Sequence, residues 1–211
     1  MRLPIFVFAA LACSGLAMAS ITPALNGGSP TEVSPGIYTW SYNIAVNANE
    51  TLDPSATTNE TCLGGTPCPF GTFFTLYDIA GLITTSVDGP TSPAGWGSAI
   101  QLTGITPSGQ LLFDDPGVEN ITFYYTGATT NGPTVISAFT YDSIYGTPVD
   151  STFSYQDTKI QTLTLDQGQG PILVPSATSG PLGGVPEPAS VLMIGGGLIA
   201  LALVGRRRAR Q

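Results

Sequence analysis

The 211 residues predict an all-β fold, a jelly-roll-like antiparallel β-sandwich over residues 20–167, with one apolar segment near each end of the chain. Three observations predict it. Apolar and polar residues alternate with period two in several short runs. Gly, Pro, Asn and Asp collect between those runs. No stretch of the body shows helical periodicity of useful length. About 146 residues from Ser20 to Leu165 suffice for one domain with its own core.

Ahead of that body, Arg2 is the only charge before Glu32, and Ile5 to Leu16 is an apolar run of h-region length. Ala17-Met18-Ala19 then gives the small-x-small pattern cut by signal peptidase, so residues 1–19 read as a signal peptide and the mature chain starts at Ser20. The alternative is a lipoprotein signal at Cys13, after Ala10-Leu11-Ala12. Its apolar run is short, and no large aliphatic residue stands three positions before the cysteine.

Within the body, Tyr38, Trp40, Tyr42, Ile44 and Val46 alternate with Thr39, Ser41, Asn43 and Ala45, the pattern of a half-buried strand. Phe73 to Ile83 is a second strand, with Phe74, Leu76 and Ala80 on one face and Phe73, Tyr77 and Ile79 on the other. Further strands are predicted at Ile100–Leu102, Leu111–Phe113, Val118–Thr126, Val135–Tyr141, Ser151–Gln156 and Ile160–Leu165. Asp88-Gly89-Pro90, Ser108-Gly109, Asp114-Asp115-Pro116-Gly117, Asn131-Gly132-Pro133 and Gly146-Thr147-Pro148 supply turns between them. Residues 168–184, rich in Gly, Pro and Ser, have no core-forming pattern and read as a semi-extended linker.

Charge and composition narrow the function. Of six basic residues, only Lys159 lies between Ser20 and Gly184, against thirteen Asp and Glu, so the body carries about −12. Such a surface repels nucleic acid and suits divalent cations or a polysaccharide matrix cross-linked by them. No histidine occurs, which removes Ser-His-Asp and Cys-His catalysis and imidazole metal sites. Cys62 and Cys68 flank Leu63-Gly64-Gly65-Thr66-Pro67, and in an exported chain such a pair predicts a disulfide.

Several residue groups carry candidate chemistry, each beside a plainer reading. Asp114, Asp115 and Glu119 concentrate carboxylates that offer a partial calcium site, although the spacing is not that of an EF-hand and the same residues read as a β-turn. Tyr38, Trp40, Tyr42, Trp96, Tyr124, Tyr125, Tyr141, Tyr145 and Tyr155 offer a platform for stacking on sugar rings, or else core packing. A glycosidase needs two placed carboxylates, and no pair stands in a signature arrangement. Asn49, Asn59 and Asn120 each begin an Asn-x-Thr sequon.

The far end of the sequence has three parts. Val185-Pro186-Glu187-Pro188 precedes sixteen uncharged residues, Ala189 to Val204, and then a basic stretch, 205–211, with Arg206, Arg207, Arg208 and Arg210. Sixteen helical residues reach about 24 Å, short of a hydrocarbon core of about 30 Å. Gly195-Gly196-Gly197 weakens the helix further, which suits a transient protease substrate better than a permanent anchor. The arginines hold the end in the cytoplasm and leave the Pro-Glu-Pro motif outside. A plain single-pass tail anchor is the alternative.

This layout resembles the PEP-CTERM sorting domain of Gram-negative bacteria, a tail type also described as an ice-binding protein C-terminal domain, a label that does not establish ice binding. The stretch from Cys62 to Trp96 is similar to a segment of many PEP-CTERM ectodomains, a type with no established activity. The resemblance implies recognition of Pro186, Glu187 and Pro188 by exosortase, an integral-membrane cysteine protease or transpeptidase. It implies a chain inserted transiently in the membrane by residues 189–204, then delivered to the cell surface, outer membrane or extracellular matrix. The partners expected are signal peptidase, exosortase and extracellular polysaccharide, with no nucleic acid, no catalytic residue and no cofactor beyond a candidate calcium. The role expected is structural or adhesive, within a biofilm matrix; a carbohydrate-binding module and a secreted hydrolase are the alternatives.

Overall fold

The computed structural model describes residues 20–55, 62, 68–84, 89–110 and 114–177. The chain divides into two units, 1–177 and 178–211, and the second lies outside the described residues. The signal peptide over 1–19, the predicted strand Leu111–Phe113, the motif 185–188, the apolar span 189–204 and the basic stretch 205–211 lie there too. Among the described residues no helix is long and apolar enough to cross a membrane.

Eleven strands form among the described residues: β1 (Ile21–Leu25), β2 (Thr31–Ser34), β3 (Ile37–Val46), β4 (Glu50–Leu52), β5 (Phe73–Leu76), β6 (Trp96–Gln101), β7 (Asn120–Tyr125), β8 (Thr130–Asn131), β9 (Thr134–Ser143), β10 (Pro148–Lys159) and β11 (Leu165–Pro175). Every pairing is antiparallel. In the smaller sheet, β3 pairs with β9 on one edge and with β1 and β2 on the other; a short 3₁₀ turn, Asn26–Gly28, breaks the latter into two strands. The larger sheet runs β6-β7-β5-β10-β4-β8, with β11 also on β10. A jelly roll divides eight strands over two Greek keys. The unequal sheets and this strand order differ from it, and the architecture is two packed antiparallel sheets.

Aromatic rings join the sheets. Phe139 of the smaller sheet meets Phe74, Trp96 and Phe123 of the larger one edge-on, with ring centroids 5.0–5.2 Å apart. Edge-to-face contacts of this kind add to the area the rings bury. Tyr42 reaches across as well, donating from its hydroxyl to the Leu173 carbonyl at 2.8 Å. The alternation over 38–46 appears as expected, with Trp40, Tyr42, Ile44 and Val46 all buried.

The outer face of the larger sheet is covered too. Cys62 and Cys68 are disulfide-bonded, and Cys62 bridges to Pro107, closing a second cluster around Phe73, Phe70 and Tyr124. Polar side chains under that cover are partnered. The Tyr77 hydroxyl meets Thr106 and Ser154 at 2.6 and 2.8 Å, Thr75 meets Thr122 at 2.8 Å, and Gln156 Nε2 donates to the Phe70 and Gly71 carbonyls.

Three expectations need correction. The strand from Phe73 stops at Leu76, because Asp78 adopts φ 58° and Gly81 φ 62°. The left-handed step changes the phase, so Ile79 joins Phe74 and Leu76 in the main core instead of facing away from them. Residues Ile160–Thr164 are not a strand but the turn between β10 and β11, with Leu163 left-handed and exposed. The linker over 168–184 is wrong in its first half, since β11 runs through Pro175 and pairs with β10 along eleven residues. Its glycines make room for rings: Gly168 stands opposite Tyr155 and Gly170 opposite Phe153, and a Cβ at either would lie 2.6–2.7 Å from the facing ring.

Phe139→Ala should cost about 3–5 kcal/mol in urea unfolding, because it empties the point where the sheets meet. Val135→Ala on the same strand, at an exposed position, should change stability by under about 0.5 kcal/mol.

Candidate functional site

The strand register gathers charge at one end of the core. Asp157 lies directly opposite Asp166, and Lys159 directly opposite Glu50. Positions 157 and 159 share a face of β10, the face that Phe153 and Tyr155 present to the other sheet. Glu50, Asp157 and Asp166 therefore converge, each offering an oxygen within 4.8 Å of the others'. Glu50 is 5% exposed and Asp157 is fully buried.

Only one corner of the group is compensated. Lys159 Nζ pairs with Asp166 Oδ1 at 2.8 Å, and the Ser20 hydroxyl donates to Asp166 Oδ2. Glu50 Oε2 and both Asp157 oxygens have no hydrogen-bond partner among the described residues. Burial, then the Glu50 and Asp166 carboxylates, push Asp157 up to about 9. Burial, then Asp166, also raises Glu50. Isolated buried carboxylates are expensive, so the group must hold either a proton or a cation. Chemically it can share a proton or hold a cation.

The residues expected to bind calcium do something else. Asp114 accepts from the Gly104 amide at 3.0 Å and from Asn120 Nδ2 at 2.9 Å, while Asp115 Oδ1 accepts from the Gly117 amide at 2.9 Å. These bonds close turns, and Asp114, Asp115 and Glu119 do not converge as a ligand set. The sugar platform also fails to form. Trp40, Tyr42, Trp96, Tyr125, Tyr141 and Tyr155 are buried, and Tyr38, Tyr124 and Tyr145 are half-buried, Tyr124 being stacked on Phe70 at 3.9 Å. The large apolar side chains exposed among the described residues are aliphatic. Asn120 is fully buried, whereas Asn49 is exposed.

Beyond the described residues, residues 184–208 match the family model of the PEP-CTERM protein-sorting motif. The chain carries a PEP-CTERM sorting motif. The match covers Val185, Pro186, Glu187 and Pro188, the apolar span, and Arg206, Arg207 and Arg208. No curated protein and no solved structure matches the chain. A PEP-CTERM motif implies exosortase as processing partner, with export to the surface or the extracellular space.

In the chain that retains its first 19 residues, Asp157 holds its proton far more tightly when folded than when unfolded. A carboxyl raised in this way favours the fold at low pH and loses that contribution as pH climbs from about 4 towards about 9. Asp157→Asn cannot ionise. Its melting temperature in that uncut chain should rise relative to the parent between pH 4.5 and pH 8.5, measured by thermal unfolding at both.

Proposed function

We propose that the body of this chain is a non-catalytic structural or adhesion domain, sorted by exosortase to the cell surface or to extracellular polysaccharide. The sorting motif over 184–208 is the observation that carries the reading. The body's charge of about −12 supports it, since such a surface suits a matrix cross-linked by divalent cations. The lack of histidine supports a non-catalytic role, as does the burial of Glu50 and Asp157. The disulfide belongs to an oxidising, exported setting. Signal peptidase acts between Ala19 and Ser20, exosortase acts near Pro186-Glu187-Pro188, and residues 189–204 hold the chain in the membrane between the two events.

The intact mass of the protein from its own cells, with and without exosortase, tests the reading. A species beginning at Ser20, ending near Pro188 and two hydrogens light at the cysteines is expected where exosortase is present. A complete tail in both strains would contradict it.

A further inference from the structure

The structure places Ser20 on the charged group just described. Ser20 is 3% exposed, its carbonyl accepts from the Asn47 amide at 3.0 Å, and its hydroxyl bonds Asp166. The same hydroxyl faces Glu50, and the Ser20 backbone N–H faces the Tyr155 hydroxyl. The nitrogen of residue 20 thus faces Tyr155, whose hydroxyl lies in the field of Asp166 and Asp157, while the side chain of the same residue bonds Asp166.

We propose that Glu50, Asp157 and Asp166 form a binding site for a primary ammonium group, and that its ligand is the chain's own α-amine, released at Ser20 by removal of residues 1–19. The inference rests on reading those residues as a signal peptide. Hydrolysis of the Ala19–Ser20 bond by water leaves a carboxylate on Ala19 and an ammonium on Ser20. An ammonium carries three N–H donors. Once Asp157 ionises, and its proton no longer bridges to Glu50, three acceptor atoms stand without a donor, Glu50 Oε2 and the two oxygens of Asp157. Calcium fits less well. It takes six to eight oxygens, and both Asp166 oxygens are already engaged by Lys159 and Ser20.

The charges agree with this assignment. Glu50 on β4, Asp157 and Lys159 on β10, and Asp166 on β11 sum to two negative charges when all are ionised, and no other basic residue occurs between Ser20 and Gly184. Before cleavage a proton on Asp157 fills the role. After cleavage the ammonium does, and Asp157 can ionise. Maturation therefore locks the start of β1 against β4, β10 and β11, tying the smaller sheet to the larger one at the edge.

The test compares two chains extending to Gln211 in detergent, one beginning at Ser20 and one retaining Ala17-Met18-Ala19, with each N-terminus set by protease cleavage of a purified precursor. Because the termini are fixed in vitro, the result does not depend on where the cell cuts; the mass from native cells tests that separately. At pH 8, Asp157→Asn should raise the melting temperature of the longer chain and lower that of the Ser20 chain by about 5 °C. Acylation of the Ser20 amine at pH 7, with Lys159 as internal reference, should be at least about tenfold slower in the folded chain than in urea. Glu50→Gln should restore it. The same sign of Asp157→Asn in both chains, or equal acylation folded and unfolded, would overturn the proposal. So would a calcium-dependent rise in melting temperature of the Ser20 chain that Asp157→Asn abolishes, since a metal would then be the ligand.

Discussion

Strand β10 is the piece on which the rest of the molecule depends. It pairs with β11 along one edge and with both β5 and β4 along the other, so the larger sheet has no continuity without it. Six consecutive residues, Phe153 to Thr158, are buried, which means that both of its faces are covered. Antiparallel sheets usually leave one face to water. Here Phe153 and Tyr155 point to the other sheet, while Ser154 and Gln156 lie beneath the Cys68–Gly71 and Gly104–Pro107 segments. Burial on both faces obliges every polar group to find a partner. Ser154 and Gln156 do. Asp157 does not, and the charged group at the end of the strand follows from that one position.

The sequence made part of this legible. The alternation from Tyr38 to Val46 marked β3 because that strand is long and half-buried. Strands β4 and β8 escaped notice, since three and two residues are too short for any period to show. Strand β11 reads as a linker in the sequence from Gly168 onward, because Gly168, Gly170 and Pro171 ordinarily mark loops. Their purpose appears only once Phe153 and Tyr155 stand opposite them. Asp78 misled in another way. A left-handed residue inside an apolar run shifts the phase, and period-two reading carries no warning of it.

The site was less legible than the fold. Glu50 and Asp157 lie 107 residues apart in the chain and meet only through register. The acidic run at Asp114-Asp115 was conspicuous because its residues are neighbours, yet neighbours in a turn mostly serve the turn. One signal did exist. Asp157 and Lys159 are charges spaced two apart at the end of a run containing Phe153 and Tyr155, which puts them on the apolar face. The sorting motif was the opposite case, fully legible because its information lies in order along the chain and needs no tertiary contact. A cut between Ala19 and Ser20, as proposed, would have a consequence in the folded state, because Ser20 bonds Asp166 beside the buried Glu50 and Asp157.

A crystal structure of the mature protein purified from its own cells tests this account most directly. It should begin at Ser20, with the α-nitrogen about 2.7–3.2 Å from Asp157 and Glu50 oxygens. A chain continuing upstream of Ser20, or a metal ion seated among Glu50, Asp157 and Asp166 with the amine turned to solvent, would contradict it.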